Sequence, residues 1–171
     1  MPLSFFTCSR RLRRVLFSLL LFSSCSAILA FADGYDPPSK GQTVYVPIYS
    51  DIKHGNLDKS GTPQMALMSV LVSIRNTDPK NGLRVTKAPF YDTKGRLVKE
   101  YITQPITVGP FGTAEIFVEH RETEGGSGAN FAIDWSAATP ISPPIIEALH
   151  THVRGGFTMS FISRGKVIAT H

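Results

Sequence analysis

Acidic residues are missing from the first 32 positions, cysteine is missing after position 25, and no uncharged apolar run is long enough to span a bilayer comfortably. Each absence excludes something. The formal charge of +5 suggests a nucleic-acid binder, but Arg10, Arg11, Arg13 and Arg14 all lie before Asp33, the first acid. That leaves 14 basic against 13 acidic side chains from Asp33 onward. With so little basic excess, counterion release supplies little drive for binding DNA or RNA, and no nucleic-acid partner is expected. Cys8 and Cys25 are the two cysteines of the chain, so a domain beginning after them has no disulfide, thiolate metal site or cysteine nucleophile. It must be held by its core, and 42% apolar residues in a chain of 171 suffice for one domain.

What is present at the N-terminus reads as an export signal over residues 1–32. A basic stretch ends at Arg14, an apolar run broken by Ser18, Ser23, Ser24 and Ser26 follows, and Ala30-Phe31-Ala32 offers a small-x-small cleavage site before Asp33. About 20 apolar residues are needed to span a membrane, and this run falls short. Leu21-Phe22-Ser23-Ser24-Cys25 gives a second possibility, a lipoprotein site with Cys25 carrying the lipid, although Phe22 stands where an aliphatic residue is usual. Ser9-Arg10-Arg11 leaves Sec and twin-arginine export both open. The expectation is a periplasmic or secreted protein, with lipid anchoring to the envelope as the alternative and membrane contact only in that case.

Residues 33–42, with Pro37-Pro38 and Gly41, read as an extended spacer before a single domain over 43–171. Short apolar runs then alternate with polar residues. Val44, Val46 and Ile48 share a face, and Pro47 suggests an edge strand. Met68, Val70, Val72 and Ile74 alternate with Ser69, Ser73 and Arg75; Ala114, Ile116 and Val118 alternate with Glu115 and Glu119; Phe131, Ile133 and Trp135 form another face. Leu83–Tyr91 and Leu97–Ile102 read as a hairpin closed by Asp92-Thr93-Lys94-Gly95. Seven to eight short strands of this kind predict an all-β, antiparallel, immunoglobulin-like sandwich. Over 143–153 a short helix and a strand are both open. Pro143-Pro144, the Ile145/Leu149/Val153 spacing and the terminal Gly155-Gly156 favour a helix, while the position before the last strands favours a hairpin arm.

Several phrases resemble a known family when read in order: Tyr45-Val46-Pro47-Ile48-Tyr49-Ser50, Ser73-Ile74-Arg75-Asn76-Thr77-Asp78-Pro79, Tyr91-Asp92-Thr93-Lys94-Gly95, Gly125-Gly126-Ser127-Gly128-Ala129-Asn130-Phe131 and Ser163-Arg164-Gly165. Together they are similar to a bacterial family of exported proteins filed as domain of unknown function family 3124, from Thr43 to Ile168. The resemblance implies export or lipid anchoring and brings no activity to carry onto these residues.

Five constellations carry chemical possibilities. Gly125, Gly126, Ser127, Gly128 and Asn130 form a loop whose amides could contact a ligand or a partner's carboxylate. Arg75 and Arg164 could do the same through their guanidinium groups. Ser127, Asp134 and His150 follow hydrolase order, but the loop lacks the strand-serine-helix setting of a nucleophile elbow. His150 and His152 would share a face on a strand, and with Glu147, His54 or His120 could hold zinc, or with Met65 or Met68 copper. Tyr45, Tyr49, Tyr101 and Phe117 could form an aromatic patch on an outer face. The leading expectation is an envelope binding or interaction module without catalytic activity or cofactor, whose partner is an envelope protein or a small ligand. Metal binding and hydrolysis are the alternatives.

Overall fold

The computed structural model describes residues 36–171, so the stretch read as an export signal and Cys25 lie outside the described residues. Strand β1 (Ser39–Ile48) is followed by β2 (Asp51–His54), β3 (Gln64–Leu67), β4 (Ser69–Arg75), β5 (Leu83–Lys87), β6 (Pro89–Tyr91) and β7 (Leu97–Glu100). Then come β8 (Ile106–Val108), β9 (Thr113–Val118), a single 3-10 turn (Gly126–Gly128), β10 (Ala129–Ile141), β11 (Ile145–Arg154), β12 (Phe157–Arg164) and β13 (Lys166–Thr170). Two antiparallel sheets form the sandwich-like body. One has the order β13-β1-β10-β5-β8, with β6 also on β10 and β7 on β6; the other has the order β12-β11-β4-β9. Strands β2 and β3 pair as a separate ribbon.

The alternation read from the sequence sets which faces meet. Val44, Val46 and Ile48 of β1 and Phe131, Ile133 and Trp135 of β10 are buried on one side. Val70, Val72 and Ile74 of β4, Ile116 and Val118 of β9, and Ile146 and Ala148 of β11 are buried on the other. Fully burying an aliphatic or aromatic side chain of this size contributes roughly 1.5–3 kcal/mol, which lets the fold stand without a disulfide.

Several local expectations change. Strand β1 begins at Ser39, inside the stretch read as spacer. It is an interior strand: β10 pairs with it from Ser39 to Ile48, whereas β13 pairs only with Gln42–Tyr45. Pro47 is tolerated because it lies past the end of the β13 ladder, where β1 has one neighbour. The Leu83–Tyr91 run breaks at Ala88, whose N–H is taken by Glu100 Oε1 at 2.8 Å and whose carbonyl accepts Tyr101 N–H at 3.1 Å. Thus β6, and not β5, forms the hairpin with β7. Its turn is built by Asp92, whose Oδ1 accepts the N–H groups of Lys94 and Arg96, each at 2.8 Å. The Arg96 amide and guanidinium hold the Asp92 carboxyl below its ordinary range.

Residues 145–154 form a strand, so no helix occupies the 143–153 stretch. Gly155 and Gly156 both adopt positive φ, +51° and +42°, and close a two-residue hairpin in which Arg154 faces Phe157. A type I′ turn requires positive φ at both central residues, so Gly-Gly here joins two strands where it had suggested a helix end.

One turn is strained. Gly112 N–H donates to Gly109 O at 3.0 Å around Pro110-Phe111, and Phe111 sits at φ +54° with its ring 72% exposed. Proline suits the first central position, but the second calls for glycine. Phe111→Gly is expected to stabilise the protein by about 1 kcal/mol, since the ring packs little and the backbone penalty for a left-handed residue is removed. A urea midpoint that falls in this variant would contradict that account.

Candidate functional site

The glycine loop is fastened into the body on two sides. Gly126 O accepts Ser50 N–H at 3.1 Å, and Gly125 O accepts both Thr93 N–H and Thr93 Oγ1–H at 3.0 Å. Gly128 N–H donates to Thr93 Oγ1 at 3.0 Å. Gly126, at φ +71°, uses the conformational freedom of glycine, while Gly125, at φ −64° and ψ −43°, does not. The amides of this loop are therefore partly consumed by the chain. Asn130 continues into β10, where it faces Pro47 of β1 and Tyr91 of β6.

Asp134 and His150, read as the partners of Ser127, are both engaged elsewhere. Asp134 lies on β10, where its Oδ1 accepts Thr43 Oγ1–H at 2.7 Å. His150 is fully buried, and both of its ring nitrogens are engaged by backbone. Its Nδ1–H donates to Ala148 O at 3.1 Å, so Nε2 is left as the acceptor of Tyr49 N–H, also at 3.1 Å. The ring stacks flat on Phe161, 4.4 Å between centroids, and takes the Tyr49 ring edge-on. Burial pushes the His150 pKa down, because a charged imidazole would lose its solvent and turn a second N–H toward the Tyr49 amide.

The proposed metal set also separates. His150 and His152 do lie on one face of β11, but His150 has no free lone pair. Glu147 alternates to the opposite face, where its carboxylate lies 3.4 Å from the Arg75 guanidinium. Met68 is core. Among the described residues no group of three or more His, Cys, Asp or Glu side chains is placed to hold a metal ion. Arg164 sits opposite Glu147 on the neighbouring strand, so Arg75, Glu147 and Arg164 form a charged group on the outer face. An exposed ion pair of this kind contributes at most about 1 kcal/mol. The expected aromatic patch is dispersed too. Tyr49 packs against His150 and is 38% exposed, Tyr101 packs on Phe90 and Phe131, and Phe117 is the most openly exposed of the three.

Two features not read from the sequence stand out. The first is a cavity of about 480 Å³ between the β2–β3 ribbon and the hairpin end of β11–β12. Ile52 and Met65 line it from the ribbon, Phe157 and Met159 from β12. Its polar groups are His54, His152 and Arg154. His152 Nδ1–H donates to Leu67 O at 2.7 Å, and the ring stacks on His120 at 5.9 Å. An adjoining hollow of about 450 Å³ shares Met65, His152 and Arg154 and adds His120.

The second is the free edge of β12. Its eight residues pair with β11 without a register shift, and among the described residues no strand pairs with its other side. It contains no proline, glycine or lysine, and its only charge is Arg164 at one end. The other edges of the two sheets are interrupted: β13 has a register shift and Lys166, β9 carries Glu115 at its centre, β7 is short and carries Lys99 and Glu100, and β8 has three residues. Beside the β12 edge an apolar row runs straight across the outer face through Ile162, Leu149, Leu71 and Phe117, each opposite the next. Ile162 and Phe117 are 55% and 58% exposed.

Comparison with known proteins adds a family. The model of a family described as a protein of unknown function (DUF3124) matches residues 41–168. No curated protein matches the sequence. Among solved structures the chain is similar to one titled as the crystal structure of Thermotoga maritima 1070, with 9% identity and a TM-score of 0.42, over 82% of this chain and 100% of that one.

Proposed function

The chain belongs to the DUF3124 family, whose description states no function, and on physical grounds we propose that it is an exported cell-envelope interaction module without catalytic activity, which takes an extended strand of a partner protein onto β12. The observation that carries the reading is the contrast between edges. Soluble β proteins guard exposed edges with lysine, proline, bulges or short strands. Here β13, β9 and β8 are guarded and β12 is not. Strand addition would satisfy the unpaired amides and carbonyls of β12, and side chains of the partner could extend the Ile162–Phe117 row.

Export supplies the setting, and the intact mass of the protein recovered from an envelope preparation tests it. A chain starting at Asp33 supports a free secreted domain, and one starting at an acylated Cys25 supports anchoring. A chain left uncleaved in the cytoplasm overturns export. For the edge, a photo-crosslinking residue is placed at Ser160 of β12 and, separately, at Lys166 of β13. The Ser160 position is expected to capture a protein adduct that Lys166 does not. Adding Ser160→Arg or Ile162→Lys should reduce the partner's association at least about tenfold by charging the edge. Both sites are exposed, so stability should move by only about 0.5 kcal/mol. Equal crosslinking at both strands, or full association in the charged variants, would sink the proposal.

A further inference from the structure

A separate observation, independent of the β12 edge, concerns the cavity beneath the hairpin. We propose that it binds a medium-chain fatty acid, with the acyl chain among Ile52, Met65, Phe157 and Met159 and the carboxylate on Arg154. Size, lining and charge all suit this ligand. The volume of about 480 Å³ falls in the range of small-molecule sites. Its walls are mainly apolar, and two of the four side chains named are methionines, whose unbranched thioethers adapt to a flexible chain.

Charge selects the head group. The polar side chains of the cavity are His54, His152 and Arg154, and among the described residues no carboxylate lines either the cavity or the adjoining hollow. That lining repels a cation and attracts an anion. A single guanidinium presents one planar fork, which matches one carboxylate by two parallel hydrogen bonds. His152 is already oriented, its Nδ1–H committed to Leu67 O and its face against His120, so the wall beside Arg154 is set before a ligand arrives. Few other hydrogen-bonding groups are available, which disfavours a sugar or a nucleotide.

The test titrates the protein as purified with decanoate below its aggregation concentration, by calorimetry. Saturable one-site binding is expected. Decanol, the same chain without the charge, should bind at least about tenfold more weakly, since a charge-assisted pair is lost. Arg154 is exposed at the hairpin end, so Arg154→Gln should keep the fold and bring decanoate down to the affinity of decanol. Met159→Trp should fill the cavity and reduce binding of both. Absence of saturable decanoate binding overturns the site, and equal wild-type affinity for decanol and decanoate overturns the head-group assignment. Undiminished decanoate binding in both variants places the ligand elsewhere and overturns the proposal, whatever the crosslinking at β12 gives.

Discussion

His150→Ala is expected to destabilise the protein by about 4 kcal/mol, a large share of a typical domain's stability. Two losses add. The imidazole is fully buried against Phe161 and Tyr49, and truncating a buried ring of this size leaves a cavity. The Tyr49 amide also loses its acceptor, Nε2, with no solvent to replace it. Urea unfolding should show a lower midpoint with an unchanged slope. A loss below about 1 kcal/mol would mean that the ring is not packed as described.

The same residue makes stability depend on pH in a defined direction. The folded-state pKa of His150 is lowered by burial, so below the ordinary imidazole value the unfolded chain binds a proton that the folded chain resists. Stability from this source is fully present above about pH 6.5 and is lost as the pH falls toward the lowered value, by at most about 1.4 kcal/mol per unit. The depressed carboxyls of Asp58, Asp78 and Asp92 act in the same direction but lower on the scale, below their ordinary pKa near 4. The two windows are therefore separable. His150→Gln should flatten the upper one and leave the lower one in place, whatever its effect on absolute stability.

The sandwich was legible because its faces alternate so regularly: Val70, Val72 and Ile74, or Phe131, Ile133 and Trp135, have one consistent environment each. The 143–153 stretch misled for a geometric reason. Ile145, Leu149 and Val153 are spaced by four, which fits a helix face, yet residues four apart also share a face of a strand. In the structure all three lie along the outer side of β11, while Ile146, Ala148 and His150 turn inward. The strand count exceeded seven or eight because pieces such as β6 and β8 have three residues, too few to display a period. Pairing is visible there only through partners distant in sequence. The cavity was invisible for the same reason. Ile52 and Met65 meet Phe157 and Met159 across roughly a hundred residues of chain, and no spacing rule joins them. For His150 and His152 the shared face was readable, but the depth of each along the sheet was not, and depth is what separates a core imidazole from one at a cavity wall.

Depth also decides the fate of the glycine loop, and Gly125→Ala is the variant that reads it. Gly125 has ordinary right-handed helical angles, so alanine there carries no backbone penalty. The added Cβ would nevertheless stand 2.6 Å from Phe90 Cζ, 2.6 Å from Ser50 Oγ and 2.8 Å from Ala129 Cβ. Phe90, Ser50 and Ala129 are all buried, so none can swing into solvent to make room. Moving the loop outward instead would stretch the hydrogen bonds that Gly125 O receives from Thr93 and Gly126 O from Ser50. Overpacking a closed site of this kind costs about 3 kcal/mol. Gly95→Ala is the matching control: Gly95 has φ +75° but nothing within 4 Å of an added Cβ, so it should lose only the left-handed backbone penalty of about 1 kcal/mol. If the loop were a loosely held ligand clamp, the order would reverse, and Gly125→Ala would unfold at nearly the wild-type midpoint. A larger loss at Gly125 than at Gly95 makes the loop a structural joint between the start of β10, the β1–β2 connection and the β6–β7 turn, and leaves the β12 edge and the cavity as the places proposed for partner and ligand.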